Sequence, residues 1–131
     1  MALEECETYF LKPQAFREGQ GYYSTGVKRI PDEASQKILV AFNLDTNSIA
    51  WKYPQTGAAR SSGGTMTTAG GLLFFGDDAG SLEAADARTG KPLWHFNTGQ
   101  EISASPMSYA VAGKQYVAIA AGSDVFSFAL P

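Results

Sequence analysis

From Ile38 to the end of the chain, apolar residues come in short runs, alternating or continuous, separated by clusters of glycine, aspartate and asparagine. Such runs predict strands rather than helices. The expected strands cover residues 38–43, 49–53, 65–68, 72–76, 81–86, 93–96, 106–109, 115–121 and 124–130. The first two are joined by Leu44-Asp45-Thr46-Asn47-Ser48. Asp45 and Asn47 suit that turn because their side chains bond nearby backbone and Asn tolerates positive φ. Strands 65–96 are linked by Ala69-Gly70-Gly71, Asp77-Asp78-Ala79-Gly80 and Ala87-Arg88-Thr89-Gly90-Lys91, each holding a glycine for a tight turn. Leu72-Leu73-Phe74-Phe75 and Tyr116-Val117-Ala118-Ile119-Ala120 are nearly continuous apolar runs, as expected of strands buried on both faces. Residues 1–37 lack this order. Pro13, Gly19, Gly21, Gly26 and Pro31 interrupt them, and only one short strand, near 8–11, is expected there. A loop so long is unusual in a compact domain and reads as an excursion between strands of an incomplete sheet.

The strands also repeat. Residues 41–51, ending in Trp51, lie over residues 84–94, ending in Trp94, at a spacing of 43. Each Trp is followed two residues later by an aromatic, Tyr53 or Phe96, and Thr56-Gly57 and Thr98-Gly99 close the two units. Ala69-Gly70 falls on Ala112-Gly113 under the same shift. A period of about 40–50 residues built from short strands marks a propeller blade. The expected fold is therefore all-β, a partial β-propeller of about two to two and a half four-stranded antiparallel blades. The blades divide as a half blade at 38–57, a full blade at 64–99 and a three-stranded blade at 105–131, with 1–37 as an irregular part of an incomplete blade. A closed ring needs about 4–8 blades, so the chain reads as a piece of a longer protein. In closed propellers the missing strand of a last blade is often supplied by the chain's other end, and an unfinished last blade suits that arrangement. The exposed strand edges of the end blades favour self-association.

Charge and composition narrow the function. A formal net charge of −3 and scattered Lys and Arg argue against nucleic acid, which calls for a basic face. No apolar segment approaches the roughly 20 residues needed to span a bilayer, and the acidic start Met1-Ala2-Leu3-Glu4-Glu5 has no signal-peptide core. Cys6 is the single cysteine, so an internal disulfide is impossible, and a small buried residue is its expected role. His95, the single histidine, follows Trp94 in a strand and points to the opposite side, as a structural or surface residue. Asp77-Asp78 and Glu4-Glu5 invite a metal reading. The first pair sits in a turn, however, and hydrated carboxylates are expected at both. Trp51 and Trp94 are expected to pack blade against blade.

The segment from Ala85 to Gly99, with Asp86-Ala87-Arg88-Thr89-Gly90-Lys91-Pro92-Leu93-Trp94 at its centre, resembles the tryptophan-docking repeat of quinoprotein alcohol dehydrogenases. Gly63-Gly64-Thr65-Met66-Thr67-Thr68-Ala69-Gly70-Gly71-Leu72-Leu73-Phe74-Phe75-Gly76 is similar to the stretch leading into that family's late blades. Ser105-Pro106-Met107-Ser108-Tyr109 and Gly113-Lys114-Gln115-Tyr116-Val117-Ala118 are similar to its C-terminal end. The resemblance covers about 38–131 and implies an eight-bladed parent with pyrroloquinoline quinone (PQQ) on its axis. It also implies a calcium or lanthanide ion, a catalytic aspartate, a periplasmic or extracellular location, and oxidation of an alcohol or sugar. In that family the aspartate, the metal ligands and an adjacent-cysteine disulfide lie upstream of the matched part. The resemblance thus implies no catalytic or metal residue in this chain, and the isolated chain is expected to be inactive. Relatives carry Trp-Gly-Gly near the quinone; here Ser62-Gly63-Gly64 stands in its place, so these three are the candidate cofactor-binding residues, or else simply a turn entering a strand. No Cys-x-x-Cys-His haem motif occurs.

Two other readings stay open. The repeats also suit a non-catalytic propeller module that offers loops or strand edges to protein partners, or a short protein that assembles into a ring. Expected partners are the remaining blades of a parent protein or further copies of the chain.

Overall fold

The computed structural model describes residues 2–4, 9–12, 15–19, 25–27, 36–57 and 63–129, with side chains for 15–19, 36–57 and 63–129. In chain order the strands begin with β1 (Ala2–Glu4), β2 (Tyr9–Lys12), β3 (Thr25–Val27), β4 (Lys37–Asn43), β5 (Ser48–Pro54) and β6 (Thr65–Thr67). They continue as β7 (Leu72–Gly76), β8 (Ser81–Asp86), β9 (Pro92–Asn97), β10 (Met107–Val111), β11 (Lys114–Ala121) and β12 (Asp124–Ala129). No helix occurs among the described residues.

One unit, formed by Met1–Glu4 and Gln36–Pro131, contains three sheets of blade form, with strand orders β1-β4-β5, β6-β7-β8-β9 and β10-β11-β12. Every neighbouring pair in them is antiparallel. The second unit, Glu5–Ser35, holds the antiparallel pair β2-β3, with Tyr9 opposite Val27 and Lys12 opposite Thr25. Among the described residues of 1–37, strands β1, β2 and β3 thus stand where the sequence suggested one short strand. β1 pairs Ala2 with Leu39 and Glu4 with Lys37, adding a third strand to the expected half blade. Three residues are too few to show an alternating period, and the partner strand lies far along the chain. Pattern reading had no means of finding it.

The sheets keep the 43-residue offset in detail. A register shift lies between Ala41 and Phe42 in the β4–β5 pair and between Ala84 and Ala85 in the β8–β9 pair. The turns after these strands match too. Asn43 Oδ1 accepts the Asp45 and Thr46 amides, and Asp86 Oδ1 accepts those of Arg88 and Thr89. The left-handed residue that closes each turn is Asn47 (φ 52°) in one and Gly90 (φ 70°) in the other. Side-chain acceptors of this type satisfy turn amides that no strand partner reaches.

The core forms at the two junctions between sheets. At the first, Leu39, Leu73, Phe75 and Ala85 are buried together beneath Trp51, Tyr53 and Ala87, with Tyr53 edge-on to Phe75 at 5.2 Å. At the second, Leu82, Ile102, Ile119 and Ala121 are buried beside Phe126 and Phe128. β8 feeds both junctions, and β7 adds to the first. Leu73, Phe75 and Ala85 turn to the first, and Leu82 turns to the second, which is why the middle sheet is apolar on both faces. Each fully buried Leu, Ile or Phe there contributes about 1.5–3 kcal/mol of transfer free energy.

Candidate functional site: the entry to strand β6 and the polar latch beside it

Gly63 and Gly64 form the entry to β6, and both are half-buried. Ser62, the remaining member of the expected cofactor triplet, lies outside the described residues. The two glycines are held against the loop that precedes β10. A Cβ on Gly63 would lie 3.1 Å from the Ala104 carbonyl oxygen. One on Gly64 would run into the Ser105 side chain, 2.9 Å from its Cβ and closer still to Oγ. The Gly64 amide donates to Ser105 Oγ at 3.1 Å. The chain's own neighbouring loop thus fills the space that a side chain at either position would need. This close approach gives a packing reason for glycine at these positions, independent of any ligand.

Beside this entry lies a polar latch that the sequence reading missed. Asp77 is only 3% exposed. Its carboxylate accepts the Thr56 hydroxyl at 2.5 Å and the Ser81 amide at 2.8 Å. The Lys37 ammonium meets Asp78 Oδ1 at 2.9 Å, with both side chains 2% exposed. The hydration expected for Asp77-Asp78 is therefore corrected. These are buried carboxylates tying the first sheet to the β7–β8 turn, because β4 and the segment after β5 close over that turn. The Gln55 amide donates to the Gly76 carbonyl at 3.4 Å, while Gln55 Oε1 is buried without a hydrogen-bond partner among the described residues. Nearby, burial and then the charges of Glu83 and Asp77 hold the Tyr53 hydroxyl above its ordinary pKa, so it stays protonated. Nothing in the local pattern marks Lys37 as the partner of Asp78. The pair forms only when two sheets stack.

Chemistry-bearing residues do not otherwise gather. Among the described residues no group of three His, Cys, Asp or Glu side chains could hold a metal ion. His95 is exposed on β9 opposite Glu83, while Cys6 and Glu5 lie outside the described residues.

Trp51 shows what the repeated tryptophan does. Its indole N–H donates to the Ala87 carbonyl at 3.2 Å, and its six-membered ring lies over Gly90, where a Cβ would come within 2.6 Å of the ring. The tryptophan of one sheet is seated on the β8–β9 turn of the next.

Comparison with known proteins gives this arrangement its family. The family model described as "PQQ: Glucose/ethanol/alcohol dehydrogenase, beta-propeller domain" matches residues 32–117. The chain belongs to this family. Its sequence is 36% identical over 113 residues to the quinohemoprotein alcohol dehydrogenase ADH IIB of Pseudomonas putida, a match covering 86% of the chain and 16% of that protein. It is 47% identical over 100 residues to the lupanine 17-hydroxylase [cytochrome c] of a Pseudomonas species, covering 76% of the chain and 14% of that protein. Among solved structures it resembles the quinohemoprotein alcohol dehydrogenase of Comamonas testosteroni, with a TM-score of 0.64 and 36% identity. That likeness covers 70% of the chain and 13% of the other. A europium-containing methanol dehydrogenase matches with a TM-score of 0.58 and 30% identity, over 63% of the chain and 14% of the other. The PQQ propeller chain thus spans about a sixth, or less, of the length of these relatives. Its fold is that of a partial propeller of the PQQ dehydrogenases.

Proposed function

We propose that this chain serves as part of the propeller wall of a PQQ-dependent dehydrogenase acting on an alcohol or a sugar outside the cytoplasm, in the periplasm or beyond. Bound PQQ would supply the hydride acceptor, and the protein would hold and polarise it. A calcium or lanthanide ion would accompany the quinone, as the relatives named for europium or lanthanide suggest. In this reading the base and the cation ligands belong to other blades, the partners of this segment are those blades, and the isolated chain has no turnover. The observation that carries the proposal is the family match over 32–117, on a chain whose sheets dock one on the next through Trp51 and the Gly90 turn.

Within that enzyme the role of Ser62, Gly63 and Gly64 is to bring the backbone of the β6 entry to the rim of the quinone site. Calorimetric titration of PQQ into the chain, with and without calcium, tests this. Saturable binding weakened by Gly63→Ala supports a cofactor-facing entry. The absence of binding leaves the segment structural, and turnover of an alcohol by the chain alone would overturn the assignment of base and cation to other blades.

One observation favours the non-catalytic reading of the same residues: Ser105 and Ala104 already occupy the space beside both glycines. If packing is their whole purpose, Gly64→Ala lowers stability by about 1–3 kcal/mol through overcrowding. Ser105→Gly then restores part of that loss in thermal melts, with no effect on PQQ affinity.

A further inference from the structure

Gly63 and Gly64 allow a close approach of backbone, but two successive glycines also have the widest conformational freedom of any dipeptide. A ligand that meets them must first order them, and that ordering weakens binding. β6 does not supply the order. It is three residues long, and its register with β7 begins only at Thr65, opposite Phe75. The entry has to be fixed from outside the strand.

Ser105 is placed to fix it. Pro106 follows, and a residue before proline is restricted to extended conformations. The segment that carries Ser105 is itself pinned. Ile102 is 0% exposed, Pro106 is buried, and a Cβ on Gly76 would lie 2.8 Å from the Ile102 Cβ. Earlier in the segment, the Thr98 amide donates to the Gly80 carbonyl at 2.8 Å, and the Gly122 amide donates to the Glu101 carbonyl at 3.1 Å. The connection from β9 to β10 is thus held by β7, by the β7–β8 turn and by the β11–β12 turn before it reaches the β6 entry. There Ser105 Oγ accepts the Gly64 amide at 3.1 Å, and the Ala104 carbonyl stands against Gly63. Both partners of this bond lie inside residues 32–117, the part that matches the family model.

We propose that Ser105 is a positioning residue for PQQ, acting through Gly64 to hold the peptide planes of the β6 entry in the orientation that meets the quinone. The proposal rests on the reading that Ser62, Gly63 and Gly64 face the cofactor. Residues 104 and 105 close the side toward which a Cβ of either glycine would point, so PQQ meets the bare backbone from another side. Glycine gives the access and Ser105 removes the freedom. Binding then starts from an ordered entry, the general advantage of a site whose supporting contacts are already made.

The test uses the chain labelled with nitrogen-15 and titrated with PQQ in the presence of calcium. Without PQQ, Ser105→Ala should lower the amide order parameters of Gly63 and Gly64 while those of Thr65, Met66 and Thr67 hold. Its PQQ affinity should fall about tenfold, the scale of one lost hydrogen bond, with thermal melting little changed. Ser105→Thr, which keeps the hydroxyl, should restore both. Ser103→Ala is the control. Its hydroxyl bonds Glu101 instead of the β6 entry, so PQQ affinity should stay as it was. Saturable binding with the same affinity in Ser105→Ala overturns the proposal and leaves the cofactor-facing reading standing. A wild-type chain whose Gly63 and Gly64 resonances do not respond to PQQ sinks that reading, and the role of Ser105 toward the quinone with it. Equal weakening by Ser103→Ala also overturns the proposal, since a loosened loop would then explain the loss. If Ser105→Ala does not fold by circular dichroism, Ser105→Cys, close in size but a weak acceptor, takes its place. Unchanged PQQ affinity in that variant overturns the proposal as well.

Discussion

Trp51 and Trp94 occupy the same place in β5 and β9, each opposite an alanine, Ala41 or Ala84, just before a register shift. Their surroundings differ. Trp51 donates a hydrogen bond to Ala87 and covers Gly90. Trp94 stacks on Phe96 and meets Phe128, yet it remains 42% exposed. The first junction is also latched by buried polar groups, Lys37 with Asp78 and Thr56 with Asp77. The second leans on aromatic contacts and buried aliphatic residues, with Gln100 bridging to Ser123 and Asp124 at its rim. Trp51 is partly buried because the β8–β9 turn of the next sheet receives it.

The ion pair offers the sharpest break in this comparison. Asp78→Ala should cost about 3–5 kcal/mol, since it removes the buried carboxylate that the Lys37 ammonium meets. Replacing both, Lys37→Met with Asp78→Leu, should recover most of that loss in urea unfolding. A small effect of the single substitution would mean that water reaches the pair.

Tryptophan truncation comes next. Trp51→Ala should cost about 3 kcal/mol, the low end for removing a large aromatic from a core. Trp94→Ala should cost about 1 kcal/mol, in keeping with its edge contacts and exposure. Equal losses in thermal melts would show the two junctions to be alike after all.

Gly90→Ala should cost about 1–3 kcal/mol, because the new methyl group meets the Trp51 ring at a positive φ. At the matching left-handed position, Asn47→Gly should leave stability nearly unchanged, since glycine accepts that conformation freely. The contrast disappears if Trp51 can slide aside, and a Trp51→Ala background should reduce the Gly90→Ala loss.

The smallest effect is a pH dependence that separates two otherwise matching turns. Hydrogen bonds from the Thr89 hydroxyl, then its amide, together with the Arg88 amide, hold the Asp86 carboxyl below its ordinary value. A lowered folded-state pKa contributes stability that is present above the unfolded value near 3.8 and is lost as pH falls through the folded one. In the matching turn the acceptor is the Asn43 side-chain amide, which does not titrate. Acidification below about pH 4 should therefore lower the protection of the Thr89 amide relative to its intrinsic exchange rate and leave that of Thr46 unchanged, and Asp86→Asn should remove the difference.

Much of the fold was legible along the chain because its signals are local. The middle sheet's β7 and β8 begin and end where their apolar runs do, and the Asn47 and Gly90 turns follow from residues that accept positive φ. The family resemblance was equally local, resting on the Trp-containing unit and the glycine-rich entry to β6. The candidate site was less legible. Gly63 and Gly64 stand out as glycines, but the reason for them, the approach of Ser105 and Ala104, is a contact between loops distant in sequence. Asp77 and Asp78 looked like solvated turn residues because nothing beside them announces Lys37 or Thr56.

By itself, then, the sequence determined the strand periods, the turn chemistry, the 43-residue offset and the PQQ propeller family, all of which depend on neighbours within a few residues or on a recurring pattern. The tertiary structure alone decided that β1 joins β4, that the acidic turn is buried and paired, and that Trp51 is seated on the β8–β9 turn. Those outcomes depend on which sheet face lies against which. Stacking brings together groups far apart in the chain, and burial then makes each polar partner obligatory.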